Sequence, residues 1–438
     1  MKTFEIFRKK VYWTLDSMKG SPVGRQLADI EAIMSVGFDA ERGGVNNSES
    51  IGYIDNILYY ATCHVPYYRS FKEWHLLTDF PVVNKNIIRD NEAQFLSDEF
   101  EKSQLVVRET SGSTGMPFTV YQDAAKRHRA TADTLWFSKE AHYELGARLY
   151  FSRVWDKKTT RSKMQCLRQN WVMHDASSLS DEAIARFLLQ LEKDCSTKTV
   201  IIFASSLTAI AKYLERNNIT PKAKVASFIT ISEALNPWTK QTIEKRFGTP
   251  VFSRYSDEEL GIMAQQIEGS TDFLVNTASF HFELLAMDSD TPVADGEEGR
   301  IVVTDLFNHA MPLIRYDTGD IAVRKPGCER LIFEKVGGRR VDYIFDTKGT
   351  LVSPYVINTP MHEFLEIQQY QFIQEGRKDY TMLLNMKEGH SFNREGDMLT
   401  MLKSYLGEDA EISVKYVDEI PVLKSGKRKQ VVNKYKPA

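Results

Sequence analysis

The sequence contains few cysteines, and their spacing argues against a disulfide framework or a zinc site. Four cysteines occur in 438 residues, and no two of them form a Cys-x-x-Cys pair. Widely separated cysteines are typical of reduced thiols in a cytosolic protein rather than of a small secreted domain. We therefore expect free thiols and a cytoplasmic location.

The sequence also lacks long hydrophobic runs and a strong excess of charge of one sign. The segment MKTFEIFRKKVYW has no uninterrupted apolar core of signal-peptide length, and no stretch approaches the length of a membrane span. A net charge of −3 and a pI near 6.4 argue against a mainly electrostatic nucleic-acid binder. We expect neither membrane insertion nor a nucleic-acid partner.

The length and the order of apolar segments predict an α/β protein with two domains. The first hundred residues have helical spacing, whereas from Ala147 predicted strands alternate with helices, which is typical of a largely parallel sheet covered on both faces. Beyond Phe273, shorter β segments are divided by Gly, Asp and Pro. We predict a large N-terminal domain over 1–342 and a small, mobile α+β domain over 343–438.

A hydroxyl-rich loop is the first candidate binding element. ETSGSTGMPF, residues 109–118, lies between two predicted strands. Backbone N–H groups freed by glycine, together with Ser and Thr hydroxyls, form a concave donor surface suited to phosphate oxygens. The loop contains no lysine, and Met116 follows Gly115, so the Gly-Lys-Ser/Thr ending of a Walker P-loop is absent. A flexible surface turn is the alternative interpretation.

A second candidate segment is SRYSDEELG, residues 253–261, which directly follows a predicted buried strand. Tyr255 at the carboxyl end of that strand could present its ring to a flat base, and a carboxylate just beyond it could hold Mg²⁺. The alternative is an acidic helix N-terminus, in which Asp257, Glu258 and Glu259 stabilise the helix macrodipole.

Three further polar segments lie nearer the C-terminus. In MPLIRYDTGD, Asp317 and Asp320 are predicted to lie in a turn where a carboxylate could accept both hydroxyls of a ribose; a plain β-turn is the alternative. In GGRRVDYI, Arg339 could reach phosphate or ribose oxygens. In PVLKSGKRKQ, Lys427 follows a Ser-Gly pair, which suits a mobile loop that delivers one ammonium. Solvated basic segments are the alternative for the last two.

Taken together, these segments and ITISEALNP near residue 232 form one ordered set. The set resembles the adenylate-forming acyl- and aryl-CoA synthetase superfamily, and within it the phenylacetate–CoA ligase branch with its capsular-polysaccharide-biosynthesis relatives. FPVVNKNIIRDN also resembles the segment that precedes the phosphate loop in that branch. The resemblance extends from about Phe80 to the C-terminus.

The resemblance implies a role for each matching residue. Lys427 and Glu259 would be catalytic, and Glu259 would bind Mg²⁺. Asp320 would accept the ribose hydroxyls, and Tyr255 would stack on adenine. The remaining nucleotide-binding positions, which cradle the phosphates or lie beside the adenine and ribose, are Thr110, Ser111, Gly112, Ser113, Thr114, Gly115, Ser232, Glu233, Ala234, Ser256 and Arg339.

The sequence departs from the family pattern at three places. Ser256 and Glu258 replace a glycine and a hydroxyl residue, which leaves open whether Glu258 or Glu259 meets the metal. Val341 replaces the first aspartate of the interdomain hinge. Phe118 ends the phosphate loop where many superfamily members have lysine, so the charge of a polyphosphate would be neutralised by Mg²⁺, Arg339 and Lys427.

The expected reaction is ATP-dependent. A carboxylate attacks the α-phosphorus, acyl-AMP and pyrophosphate form, and the acyl group then passes to the thiol of CoA. Two alternatives remain: an amide-forming ligase with an amine acceptor, acting in polysaccharide or secondary-metabolite biosynthesis, and a non-catalytic nucleotide-binding scaffold. Expected ligands are ATP, Mg²⁺ and a small carboxylic acid, with CoA as a candidate co-substrate, and homodimer formation is left as an option.

Overall fold

The computed structural model describes most of the chain. The described residues are 2–35, 38–39, 44–45, 48–110, 118–153, 155, 160–176, 180–337, 344–349, 351–352, 357, 361, 364–387, 389–420 and 430–435. The loop positions 111–117, the hinge positions 338–343 and the tail positions 421–429 therefore lie outside the described residues.

Helices make up most of the first hundred described residues and recur between the strands that follow. The α-helices are α1 (Lys2–Met18), α2 (Pro22–Ser35), α3 (Ser48–His64), α4 (Lys85–Asp90), α5 (Glu92–Phe95), α6 (Ala124–Glu140), α7 (Lys163–Gln169), α8 (Asp181–Lys193), α9 (Ala204–Arg216), α10 (Pro237–Phe247) and α11 (Glu395–Leu406).

The strands begin near the N-terminus with two short pairs. They are β1 (Phe38–Asp39), β2 (Gly44–Val45), β3 (Val106–Thr110), β4 (Phe118–Gln122), β5 (Arg148–Arg153), β6 (Trp171–Asp175), β7 (Lys198–Phe203), β8 (Val225–Ile231), β9 (Val251–Asp257), β10 (Gly261–Gln266), β11 (Phe273–Val275), β12 (Phe280–Leu285), β13 (Glu298–Asp305), β14 (Tyr316–Arg324), β15 (Ile332–Gly337), β16 (Ile344–Phe345), β17 (Leu351–Val352), β18 (Ile367–Gln374), β19 (Asp379–Met386), β20 (Glu411–Tyr416) and β21 (Val431–Asn433).

One large sheet organises the chain between Arg148 and Gly337. Its strand order is β12-β13-β14-β15-β11-β10-β9-β8-β7-β5-β6. Strands β5 to β9 pair in parallel, while the pairs from β9 to β15 are antiparallel. The sequence predicted both halves, and the predicted α/β fold class is confirmed.

Helix caps fix where several helices begin. The Asp123 carboxylate accepts a hydrogen bond from the backbone N–H of Lys126 at 2.8 Å and starts α6. Helix α4 begins at Lys85. The Asn84 side chain caps it, because its oxygen accepts from the N–H groups of Asn86 and Ile87.

The C-terminal segment forms a second, smaller sheet with its own core. Its strand order is β20-β19-β18-β21, and α11 packs over the sheet. Helix α9 of the larger unit contacts this segment, since the Lys212 ammonium donates to the carbonyl oxygen of Ile367 at 3.1 Å. The Lys212 side chain is buried at this contact.

Within the described residues, no helix combines the length and the apolar character that a membrane crossing requires.

Candidate active site

Strands β9 and β10 form a hairpin that carries the central candidate residues. Tyr255 lies in β9, and Glu259 lies in the turn before β10. The interpretation of this segment as the start of a helix is therefore wrong. The turn is closed by Asp257, whose carboxylate accepts a hydrogen bond from the N–H of Leu260 at 2.6 Å.

Tyr255 and Asp320 meet directly. The Tyr255 hydroxyl donates to Oδ2 of Asp320 at 2.8 Å, and Thr318 supports both residues through its hydroxyl. Asp320 lies in β14 rather than in the turn that the sequence predicted. The local backbone is nevertheless irregular, because Gly319 has a φ of +78° and the pairing with β13 shifts register there.

The neighbouring Asp317 has a structural role. Its carboxylate accepts from the Arg300 guanidinium at 2.8 Å and from the N–H of Gly319 at 2.9 Å. Of the two aspartates in this segment, Asp320 is therefore the one that faces the candidate base-binding tyrosine.

Glu259 is a buried carboxylate that is paired on one oxygen. Its side chain is 2% exposed, and its Oε1 accepts from the Tyr316 hydroxyl at 3.0 Å and is paired with the Lys85 ammonium. Its Oε2 is buried without a hydrogen-bond partner among the described residues. Leaving a buried carboxylate oxygen unpaired is costly, so this atom is a candidate ligand position.

Backbone pairing fixes the position of Lys85. The N–H of Val83 donates to the carbonyl of Arg315 at 3.0 Å, and the N–H of Asp317 donates to the carbonyl of Val83 at 2.8 Å. These bonds hold the start of α4 beside β14, so that the half-buried Lys85 reaches Glu259.

The strands that flank the hydroxyl-rich loop end at the same place. Thr110 of β3 pairs with Phe118 of β4 across the loop. The Phe118 ring is parallel to that of Tyr316, with 6.3 Å between centroids, and the Lys85 ammonium lies 5.4 Å from the Phe118 centroid. Both ends of the loop therefore lie next to Glu259, Lys85 and Tyr316. We call these residues, together with the neighbouring Asp257, Tyr255 and Asp320, the Glu259 cluster.

Charges in this cluster perturb one another. Burial, followed by the nearby Glu259 carboxylate, raises the pKa of Asp257 well above its usual range, while Lys85 opposes the shift. Burial and the Asp320 carboxylate raise the pKa of Tyr255 well above 10, so its hydroxyl stays protonated and remains a donor. Among the described residues, Asp257, Glu259 and Asp320 thus share one nearby ammonium, that of Lys85.

The exposure of the two adjacent glutamates separates their roles. Glu258 is 59% exposed on its side chain and is paired with Arg108 at 3.9 Å, whereas Glu259 is buried in the cluster. Ser256 is half-buried in β9 between Tyr255 and Asp257.

The segment Ser232-Glu233-Ala234 follows β8 at its carboxyl end. Ser232 adopts a left-handed φ of +72°, which is uncommon for a residue other than glycine. The Glu233 carboxylate accepts from the N–H of Ser205 at 2.7 Å, which ties this loop to the start of α9, and Ala234 is exposed.

Other predicted site residues lie outside the described residues. These are Ser111, Gly112, Ser113, Thr114, Gly115, Arg339 and Lys427, together with Val341 of the predicted hinge. Thr110 is described as the last residue of β3.

A Mg²⁺ ion fits the donor set around Glu259. Mg²⁺ prefers oxygen ligands and commonly takes one or two carboxylates together with substrate phosphates. The Glu259 Oε2 atom supplies one such oxygen. The neighbouring carboxylates do not form a compact three-ligand cage among the described residues, so phosphate or water oxygens would complete the coordination.

Lys85 is the functional candidate that the sequence interpretation missed. It lies in FPVVNKNIIRDN, a segment quoted for its resemblance and not for chemistry. Its position inside that segment, shortly before the lysine-free loop, was the available signal.

Known proteins resemble this chain in fold and, at low identity, in sequence. The family model of the CapK C-terminal domain matches residues 344–434. Protein CapK of Staphylococcus aureus is 23% identical over 82% of this chain and 81% of its own length. Phenylacetate–coenzyme A ligase of Escherichia coli is 25% identical, but this match spans only 45% of the chain and 47% of that ligase.

Two solved structures illustrate the structural likeness. A 2-hydroxyisobutyryl-CoA ligase in the postadenylation state, in complex with 2-HIB-AMP, has a TM-score of 0.70 at 16% identity and covers 90% of this chain and 91% of its own. The amide bond synthetase McbA of Marinactinospora thermotolerans has a TM-score of 0.52 at 13% identity, covering 75% and 68%. The predicted resemblance is confirmed: the chain is similar in sequence to CapK and the phenylacetate–CoA ligases, shares the fold of solved adenylate-forming CoA ligases, and matches the CapK C-terminal domain over residues 344–434.

Proposed function

We propose that this protein is an ATP-dependent ligase that activates a carboxylic acid as acyl-AMP and transfers the acyl group to CoA. The main supporting observation is that the Tyr255–Asp320 and Lys85–Glu259 pairs both lie near Asp257, and that Lys85 lies beside Phe118 at one end of the hydroxyl-rich loop. The relatives and neighbours, which include phenylacetate–CoA ligases and a 2-hydroxyisobutyryl-CoA ligase, support the same reaction class.

In the proposed adenylation, a substrate carboxylate oxygen bonds to the α-phosphorus of ATP while the bond to pyrophosphate breaks. Tyr255 contacts the adenine, and Asp320 accepts the ribose hydroxyls while its Oδ2 stays fixed by the tyrosine hydroxyl. The Ser and Thr residues at positions 110–114 donate to the phosphates. Catalysis is then mainly orientation and charge neutralisation, because a carboxylate needs no activating base.

Three cations are proposed to neutralise the phosphates. Lys85 supplies a fixed ammonium, and Lys427 supplies a second one from the C-terminal tail, with Arg339 near the ribose. Mg²⁺ held by Glu259 would add positive charge at the phosphate oxygens when it is bound. The unpartnered Oε2 of Glu259 supports this assignment.

In the proposed second step, a thiol sulfur attacks the acyl carbonyl, AMP leaves, and a thioester forms. An amine acceptor is the second candidate, since the chain shares its fold with an amide bond synthetase. A two-domain division near residue 342, with a tail that moves between the steps, remains part of the proposal. The non-catalytic scaffold is the third candidate.

The adenylation proposal is tested by following pyrophosphate release with ATP, Mg²⁺ and a panel of carboxylic acids. If the protein is a non-catalytic scaffold, it should bind the nucleotide without any acid-dependent release of pyrophosphate. Trapping the activated acid with CoA or with amines then separates the two enzyme candidates by the product that forms.

Asp320 provides a residue-level test. Asp320→Ala should weaken ATP binding by about 2–3 kcal/mol, taking charge-assisted hydrogen bonds as the guide, and should remove most discrimination between ATP and 2′-deoxy-ATP. Thr318→Val is the matched control, because Thr318 contacts the same tyrosine without offering a carboxylate. If Asp320→Ala still discriminates as the parent does, Asp320 does not bind the ribose.

A further inference from the structure

Helix α1 carries an apolar stripe that is exposed to solvent. Phe4 is 69% exposed, Phe7 62%, Leu15 46% and Met18 78%. Their spacing of three, eight and three residues places them on one side of the helix. A different side attaches the helix to α2, because the Asp16 carboxylate accepts from the first N–H groups of that helix at 2.9 and 3.1 Å.

Basic residues flank this stripe. Between Lys2 and Met18 the sequence has four basic residues and two acidic ones, although the whole chain has a net charge of −3. One of the four, Lys9, is paired with Glu144 at 2.7 Å, whereas Arg8 and Lys10 border the stripe. On a helical wheel, Arg8 and Lys10 fall on either side of the apolar stripe. An exposed apolar stripe between cations is typical of helices that lie in the headgroup region of an anionic membrane.

A second helix with the same character lies on the other side of Gly146 from α1. In α7, Met164 is 73% exposed and Leu167 67%. Residues 160–170 contain three basic residues, Arg161, Lys163 and Arg168, and no acidic residue. Exposed apolar side chains are therefore again accompanied by positive charge.

Gly146 shows that the two helices are neighbours. A Cβ atom placed on Gly146 would lie 2.6 Å from the carbonyl oxygen of Glu5 in α1, so the backbones approach closely. The carbonyl of the same glycine accepts from the side chain of Asn170, the residue that caps the C-terminus of α7, at 3.1 Å.

We propose that α1 and α7 form a docking surface for an anionic lipid bilayer. This α1–α7 surface consists of exposed apolar residues and the cations that flank them; the apolar residues are Phe4, Phe7, Leu15, Met18, Met164 and Leu167. A planar anionic surface matches the charge of both helices at once. Pairing of α1 with the α1 of a second copy would instead bring like charges together, which is unfavourable. The attachment is peripheral, because no described helix is suited to crossing a membrane.

Vesicle sedimentation of the full chain tests this proposal. The protein should sediment with vesicles of phosphatidylcholine mixed with phosphatidylglycerol, much less with phosphatidylcholine alone, and less as NaCl is raised. Phe4→Ser combined with Phe7→Ser should lower the partition coefficient roughly tenfold or more, since two large apolar groups no longer leave water. Arg161→Glu combined with Lys163→Glu should remove the preference for the anionic lipid.

Matched controls separate the surface from general effects. Tyr59 and Leu76 are 68% and 64% exposed and lie outside the two helices, so their double serine variant should bind vesicles like the parent. Equal loss in this control, or no binding of the parent to anionic vesicles, overturns the proposal. Light scattering provides a second test that could overturn the proposal. If the parent forms a dimer, does not bind vesicles, and becomes a monomer in Phe4→Ser/Phe7→Ser, the apolar stripe is a contact between copies of this chain.

Discussion

Replacing Lys212 by methionine should change stability in opposite directions at low and high pH. Lys212 is buried where α9 meets the C-terminal sheet, and its ammonium donates to the carbonyl of Ile367. Burial, followed by the nearby Lys387 ammonium, lowers its pKa to about 7, and Glu366 offsets only part of that effect. The folded protein therefore holds this proton less tightly than the unfolded chain does.

The sign of the pH dependence follows from this difference. Below about pH 7 both states carry the proton, and the folded state bears the full cost of the buried charge, roughly 5 kcal/mol for a pKa lowered from 10.5 to about 7. Between those two pKa values only the unfolded state is protonated, so the cost falls as pH rises. Methionine removes this cost but leaves the Ile367 carbonyl without its donor, which costs about 1–3 kcal/mol.

Lys212→Met should therefore stabilise the contact by about 2–4 kcal/mol near pH 6 and destabilise it by about 1–3 kcal/mol above about pH 10. Urea unfolding at several pH values, together with amide hydrogen exchange of β18, measures both effects. Lys240→Met is the matched control, because Lys240 is also buried but pairs with Glu244 at 3.2 Å, so its loss should destabilise the protein near neutral pH. A Lys212→Met effect of the same sign throughout would refute the reasoning.

Three further predictions concern the site and the attachment of α1. Glu259→Gln should suppress pyrophosphate formation and raise the Mg²⁺ requirement, whereas Glu258→Gln should have the smaller effect; equal effects in activity assays would contradict the proposed metal ligand. Lys427→Ala should slow acid-dependent pyrophosphate release by about 10²–10³-fold but leave acyl transfer from preformed acyl-adenylate unchanged. The control variant Lys429→Ala should leave both half-reactions unchanged. Gly146→Ala should destabilise the protein by about 1–3 kcal/mol and increase hydrogen exchange in α1, because the glycine has a φ of +92° and no room for a Cβ atom. An unchanged melting temperature would show that other contacts hold α1 in place.

Local patterns sufficed to predict most elements of the fold. The strands on either side of the hydroxyl-rich loop and the parallel strands β5, β7, β8 and β9 appear as predicted, because short apolar runs separated by capped helices allow few other structures. Strand β6 was not predicted. The errors occurred where polar residues outnumber apolar ones. Asp257 and Asp320 were assigned to a helix start and a turn, but both lie in strands.

The meeting of Tyr255 and Asp320 illustrates what a linear pattern cannot predict. Three strands separate β9 from β14 in the sheet order, and four flat steps of about 4.8 Å would place them roughly 19 Å apart. Their 2.8 Å hydrogen bond therefore requires the antiparallel half of the sheet to curl back on itself. Curling depends on the summed twist and on the register shifts beside Gly319 and Ile262, which leave only a weak trace in the sequence.

The same closure bears on the proposed phosphate loop, which contains no lysine. Phe118 stands at the end of that loop, and its ring packs parallel to Tyr316. In the proposed function Lys85 supplies the cation, and the backbone pairing of Val83 with β14 holds this lysine near the Phe118 ring and against Glu259. Before a nucleotide binds, this ammonium neutralises a carboxylate that would otherwise be buried without a counter-charge. A lysine at position 118 would compete for that carboxylate, so the aromatic ring and the distant lysine form one arrangement.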